Sequence, residues 1–202
     1  MEAALPKHIS LVVMPRVLFP QTFMALNVLE PRYERMVKTC LSAHEGLGIL
    51  FQMESLTVRA SEDQLDQLKE RIGTYGLISD WYPQPDNTLA LNIDGLRRFR
   101  VMAAAQESDG LIRAEVQWLP EENSTPVSPE HQHLADLLKE ITHHPLAKEC
   151  DFHFNLQDAK SVSLNLAHLL PLPDPDKQQL LECDTSTERL RKITAMLSAK
   201  NR

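Results

Sequence analysis

Histidine and cysteine are the residues of this chain best suited to chemistry, and five of its eight histidines fall, with Cys150, between His131 and His153. Imidazole and thiolate together are what a zinc site uses. The spacing argues against one. His131 and His133 are two apart and turn to different sides of a helix, whereas helical ligand pairs need separations of three or four. His143-His144 suits a helix C-terminus, where partial negative charge favours a cation. Cys40, Cys150 and Cys183 are odd in number, widely separated and without a CxxC pair, which fits neither a disulfide framework nor a zinc knuckle. A hydrolase using Cys150 or Cys183 with a histidine lacks any motif that sets a nucleophile against its base.

Other chemistry is missing its motifs. The six glycines are scattered and the phosphate loop GxxxxGK[ST] is absent, as are GxSxG and HExxH. Arg97, Arg98 and Arg100, with Phe99 between them, form a basic-aromatic cluster of the kind that can hold RNA. On a strand, however, Phe99 and Val101 face one way and Arg98 and Arg100 the other, as a half-buried strand requires. These arginines read as solvated or structural, with one or two pairing to Glu30 or another carboxylate. The net charge of −7 disfavours a polyanion-binding surface. The sequence therefore assigns no catalytic residue, no metal ligand and no cofactor.

The elements come next. His8 to Met14 reads as a strand, and Thr22 to Leu29 as a second after the break at Pro20. At Glu30-Pro31 the period changes to that of a helix running to about Glu45, with Tyr33, Met36, Val37, Cys40 and Leu41 on one face. Proline suits the first helical turn, and Glu30 lies where the dipole favours an anion. Cys40 falls on the apolar face as a small core residue. Leu47 to Phe51 is a short, wholly apolar run of buried-strand length. Within the polar insert Glu54 to Arg71, Ser61 and Gln64 form a capping box. Ile72 to Tyr82 carries Tyr75, Leu77 and Trp81 on one alternation, followed by a turn at Pro83 to Asn87 and a return strand through Leu89, Leu91 and Ile93. Gly95 suits a bulge or bend before Leu96 to Val101. Asp109-Gly110 marks a hairpin into a cleanly alternating strand, Ile112, Ala114, Val116 and Trp118.

Pro120 to Ser128 is polar and aperiodic, which places a boundary there: a β-rich lobe over 1–120, then a helical lobe of about four helices over 121–202. One helix starts at Ser128-Pro129, with Leu134, Leu137, Leu138 and Ile141 on its face. A second follows Asn155 and reaches Leu170, a third starts at Asp174-Pro175, and a fourth is capped by Thr185 with Glu188. The fold class is α+β, a small barrel with one early helix and a helical C-terminal lobe. Apolar runs are short and no leader pattern precedes them, which leads to a cytoplasmic expectation.

Four motifs in this order resemble the N-terminal, substrate-binding domain of Lon proteases: Phe19-Pro20, Glu30-Pro31-Arg32-Tyr33, Gly73-Thr74, and Gly95-Leu96-Arg97-Arg98-Phe99-Arg100. Leu169-Leu170-Pro171-Leu172-Pro173 and Glu188-Arg189-Leu190 extend the likeness over nearly the whole chain. Ala25 stands where that family usually has proline, and Leu29 where it has an aromatic. The resemblance implies a pseudo-barrel related to the PUA domain and the binding half of a protease's work, without its ATPase and protease modules. It implies a non-catalytic recognition module for unfolded or flexible polypeptide segments, serving a protease or quality control as an adaptor. Phe19, Pro20, Glu30, Pro31, Arg32, Tyr33, Gly73, Thr74, Gly95, Leu96, Arg98 and Phe99 are expected to be structural, whereas Tyr75, Trp81 and Trp118 are the candidates for polypeptide contact. A PUA-like RNA-binding module is the alternative.

Overall fold

The computed structural model describes residues 5–53, 59–85, 88–143 and 154–200. Contacts divide the chain into two compact units, Met1–Pro120 and Glu121–Arg202. The fold is α+β: six strands, an early helix and a second short one among the described residues of the first unit, helices in the second.

In the first unit, β1 (His8–Met14), β3 (Leu47–Phe51), β4 (Ile72–Pro83), β5 (Leu89–Gln106) and β6 (Ile112–Trp118) close on themselves, because β5 pairs both β4 and β6. Closure removes most strand edges. The pair β1–β3 is parallel, with Leu11 opposite Gly48 and Met14 opposite Phe51. β2 (Phe23–Val28) lies outside the ring as a regular strand paired to the first third of β5. Of the bulge or bend expected at Gly95 the structure has a bulge, through which β5 runs unbroken for 18 residues.

Two apolar layers explain the sequence pattern. Ile9, Leu11 and Val13 of β1 join Leu50, Tyr75, Phe99, Val101 and the Ile112-Ala114-Val116 alternation inside the ring. Val12, Leu47 and Ile49 face the other way and pack with Met24, Val28, Leu91 and Ile93 beneath Met36, Val37 and Cys40 of α1 (Pro31–Ala43). Both faces of β3 are thus covered, which is why it is wholly apolar. The helix ends earlier than the periodicity suggests, because His44 turns left-handed (φ 53°) and its N–H caps the last carbonyls. α2 (Glu62–Asp66) carries both halves of the Ser61–Gln64 capping box. Residues 54–58 of the insert and 86–87 of the β4–β5 turn lie outside the described residues.

The second unit holds four described α-helices, α3 (Gln132–His143), α4 (Ala159–Leu169), α5 (Asp174–Leu181) and α6 (Ser186–Lys200), with a 3-10 turn at Pro129–His131. α4 begins later than Asn155 suggests. Asp158 is its cap: the carboxylate accepts from the N–H groups of Lys160 and Ser161, and also from that of Thr125. At α6, Thr185 Oγ1 accepts from Glu188 N as expected, but the Glu188 carboxylate accepts from Asp184 N. Arg189, fully buried, ties the unit together. It donates to the carbonyls of Leu180 and Cys183, to Ser163 Oγ and to the carboxylate of Glu122.

Candidate functional site

Three of the four motifs meet in one knot. Gln21 N donates to Gly95 O and Gly95 N to Thr22 O, both at 2.8 Å, while the Thr22 hydroxyl returns to Phe19 O at 2.9 Å. The buried hydroxyl of Thr74 donates to Leu18 O at 2.6 Å. A side chain on Gly95 would run into the Phe19 carbonyl, so only glycine lets these segments meet. Phe19 and Phe99 are fully buried. Leu96, the extra residue of the bulge opposite Tyr75 and Gly76, is pushed into solvent.

The fourth motif builds the corner. Pro31 opens α1, and Arg32 turns back beneath it, 6% exposed, with Nη1 donating to Gly110 O at 2.8 Å and Nε 2.9 Å from Glu30 Oε2. Its guanidinium lies 4.8 Å from the Tyr33 ring centroid. Burial pushes the Tyr33 hydroxyl's pKa up, opposed by Arg32. One turn later Arg35 ion-pairs with Glu107 and Asp109 of the β5–β6 hairpin. Glu30 is thus held by Arg32 and not by the 97–100 cluster.

The arginine cluster does not form a basic face. Arg98 is 6% exposed, deeper than a solvated strand arginine. Arg97 donates to Leu119 O, and Arg100 pairs with Glu70 at 3.1 Å. Nor do the histidines converge. His131 is buried against Ser128 Oγ, His133 contacts Glu130 O, and His143 donates to Lys139 O at the end of α3. Among the described residues no three His, Cys, Asp or Glu side chains are grouped to hold a metal. His144, Cys150 and His153 lie outside them. Cys40 and Cys183 are buried, and burial pushes the Cys40 thiol up to about 11, far from a nucleophile's range.

Of the aromatic candidates, Tyr75 is a correction. It is 3% exposed, stacks edge-on to Trp118 with centroids 5.2 Å apart, and its oxygen accepts from Gly46 N. Trp118 is partly buried, its indole donating to Pro6 O. Trp81 is exposed, but a bulge at Ser79 sets it on the face opposite Leu77, so the expected alternation is broken.

A cleft of about 270 Å³ lies elsewhere, lined by Val12 to Pro15 at the end of β1, Leu26 to Leu29 at the end of β2, and Glu30, Arg32 and Tyr33 of the corner. Consecutive strand residues point to alternate faces, so three in a row from each strand, with the residue that follows it, means that the cleft runs along strand edges. Those edges lack strand partners among the described residues. β2 pairs with β5 alone, and β6 pairs with β1 only from His8 to Leu11. Leu29 stands 71% exposed at the rim, and Glu30 is half-exposed. Beside the cleft, the outer face of the β2–β5–β4 ribbon carries Phe23, Asp94 and Leu77 in one cross-strand row, with Asp80 and Tyr82 further along. The cleft was not legible from sequence, because its walls come from separate segments joined by barrel closure.

A model of the ATP-dependent protease La (LON) substrate-binding domain matches residues 9–199. The Lon protease of Dictyoglomus thermophilum is 28% identical over 191 residues, covering 90% of this chain and 23% of that protein. The chain therefore spans about a quarter of that relative's length. Among solved structures, the crystal structure of a Lon N-terminal domain protein from Xanthomonas campestris is similar with a TM-score of 0.75 and 29% identity, over 93% of this chain and 97% of that one. The N-terminal domain of the Mycobacterium avium complex Lon protease shares the fold at a TM-score of 0.64 and 18% identity, over 92% of this chain and 95% of that one. Among the described residues no helix is long and apolar enough to cross a membrane.

Proposed function

The chain belongs to the ATP-dependent protease La (Lon) substrate-binding domain family, and from that membership we propose that it is a non-catalytic recognition module for unfolded polypeptide, acting as an adaptor in protein quality control. The observation that carries the proposal is the cleft between the ends of β1 and β2. It offers Met14, Leu26, Val28 and Tyr33 to an apolar side chain beside backbone that no strand covers among the described residues, and unfolded clients display both kinds of group. The arginines that an RNA module would need are buried or engaged with protein, which leaves the RNA reading without support. Ordering a flexible chain costs entropy, so binding is expected on the order of 1–100 μM. Fluorescence anisotropy with a labelled, reduced and permanently unfolded protein checks this, and Leu29→Asp with Tyr33→Ser should weaken it about tenfold or more. Equal affinity for the folded form of the same protein, or RNA binding in its place, would overturn the reading.

A further inference from the structure

We infer that the cleft takes an extended, cationic polypeptide segment, which adds as a new strand to the outer edge of β2. This mode rests on the polypeptide-recognition reading and gives it a geometry and a substrate class.

The backbone is set for it. Among the described residues β2 has a strand neighbour on one side only, and the Ala25 carbonyl points to the other side, where Arg16 Nη1 donates to it at 3.1 Å. In an antiparallel ladder the groups directed away from the partner recur at every second residue, so Asn27 shares the phase of Ala25 and borders the cleft. An added strand would lie about 4.8 Å from β2, with alternate side chains on opposite faces. One set enters the apolar cleft among Leu26, Val28 and Tyr33. The other set continues the outer face of the ribbon.

The charge of the segment follows from that outer face. Its nine positions on β2, β5 and β4 (23, 25, 27, 90, 92, 94, 77, 80 and 82) include two carboxylates, Asp94 and Asp80, and no lysine or arginine. Asp94 sits between the exposed apolar side chains of Phe23 and Leu77, and Glu30 adds a half-exposed carboxylate at the end of the cleft. Arg32, the cation lining the cleft, is buried against Glu30 and Gly110 and presents little positive charge to an occupant. Arg16 occupies the β2 edge as a cationic donor, and an incoming strand takes over its carbonyl. A lysine at an outward position beside Phe23 then lies two strand spacings, about 10 Å or one screening length, from Asp94 with Asp80 one strand further, whereas an acidic segment meets repulsion from the same carboxylates.

The test uses the full chain and labelled peptides of about ten residues, apolar at alternate positions and Lys or Glu at the others, read by anisotropy. The Lys peptide should bind about tenfold or more tightly than the Glu peptide. N-methylation of the alternate set that faces β2 should lower affinity about tenfold, because each methyl removes a backbone donor, and methylation of the other set should not. Arg16→Ala should bind the Lys peptide at least as tightly as the parent. If both methylated sets bind like the unmodified peptide, or if the Glu peptide binds as well as the Lys peptide, the mode is wrong. If no peptide binds while an unfolded protein does, strand addition falls and the recognition reading stands; if neither binds, both fall.

Discussion

Arg32 donates to the carbonyl of Gly110 at 2.8 Å across a separation of 78 residues, which fixes the start of α1 to the turn between β5 and β6. Helix and hairpin also meet through the buried Leu111, packed in one cluster with Met36, Val37 and Cys40, and through exposed ion pairs from Arg35 to Glu107 and Asp109. The buried guanidinium therefore organises the corner and one wall of the cleft. Truncating it removes a buried donor from Gly110 O and the partner of Glu30. Arg32→Ala should destabilise the chain by about 2–4 kcal/mol, and Arg32→Lys should recover only part, since one ammonium cannot reproduce the planar fork. Urea unfolding of the two variants checks this, and an unchanged midpoint for Arg32→Ala would remove the corner's claim to be structural.

Gly95, at the bulge of β5, and Gly110, in the turn between β5 and β6, are glycine for different reasons. Gly110 has φ 89°, so a side chain there pays a conformational cost of about 1–2 kcal/mol. At Gly95 the obstacle is the Phe19 carbonyl, which a Cβ would overlap while that segment is hydrogen-bonded on both sides. Gly95→Ala should therefore cost more than Gly110→Ala, about 3 kcal/mol or above, because backbone has to shift. Denaturation midpoints of the two variants, measured side by side, decide it; the reverse order would mean that the 19–22 segment yields easily.

Legibility in the sequence followed the range of the interaction that makes each feature. The alternation Ile112-Ala114-Val116, the apolar run Leu47 to Phe51 and the Ser61–Gln64 box are local, and each stands where the pattern puts it. The bulges are not local. Leu96, Ser79 and Met102 are each an extra residue relative to a partner strand, so faces read by simple alternation are wrong beyond them, as with Trp81. Burial of Arg98 and Arg189 was hidden for a related reason: a charged residue goes inside only where distant partners receive it. For Arg189 those partners include Glu122, which lies in the stretch read as an aperiodic boundary. The likeness of the motifs to a known domain identified the fold, but those residues make its knot and corner, and Met14, Leu26 and Leu29 of the cleft carry no signal of their own.

The clamp between α1 and the hairpin also sets a direction for acid. Arg35 donates to Asp109 Oδ2 at 2.6 Å, and Leu111 N donates to its other oxygen. These contacts hold the Asp109 carboxyl below its ordinary value of 3.8, the Arg35 hydrogen bond contributing most. Lys7 does the same for Glu115, lowering it from 4.5, at the pairing of β1 with β6. A carboxyl whose folded pKa is depressed takes up its proton more readily in the unfolded chain. Its stabilising effect is then present above the unfolded value and disappears as pH falls through the folded one. Stability should accordingly be flat with respect to these groups near neutrality and decline below about pH 4.5. Both sites are exposed, so salt should shrink the effect. Asp109→Asn should reduce the slope of urea midpoint against pH in the acid limb while leaving its shape near neutrality unchanged. A variant whose acid slope equals that of the parent would show that Arg35 does not hold Asp109 in solution.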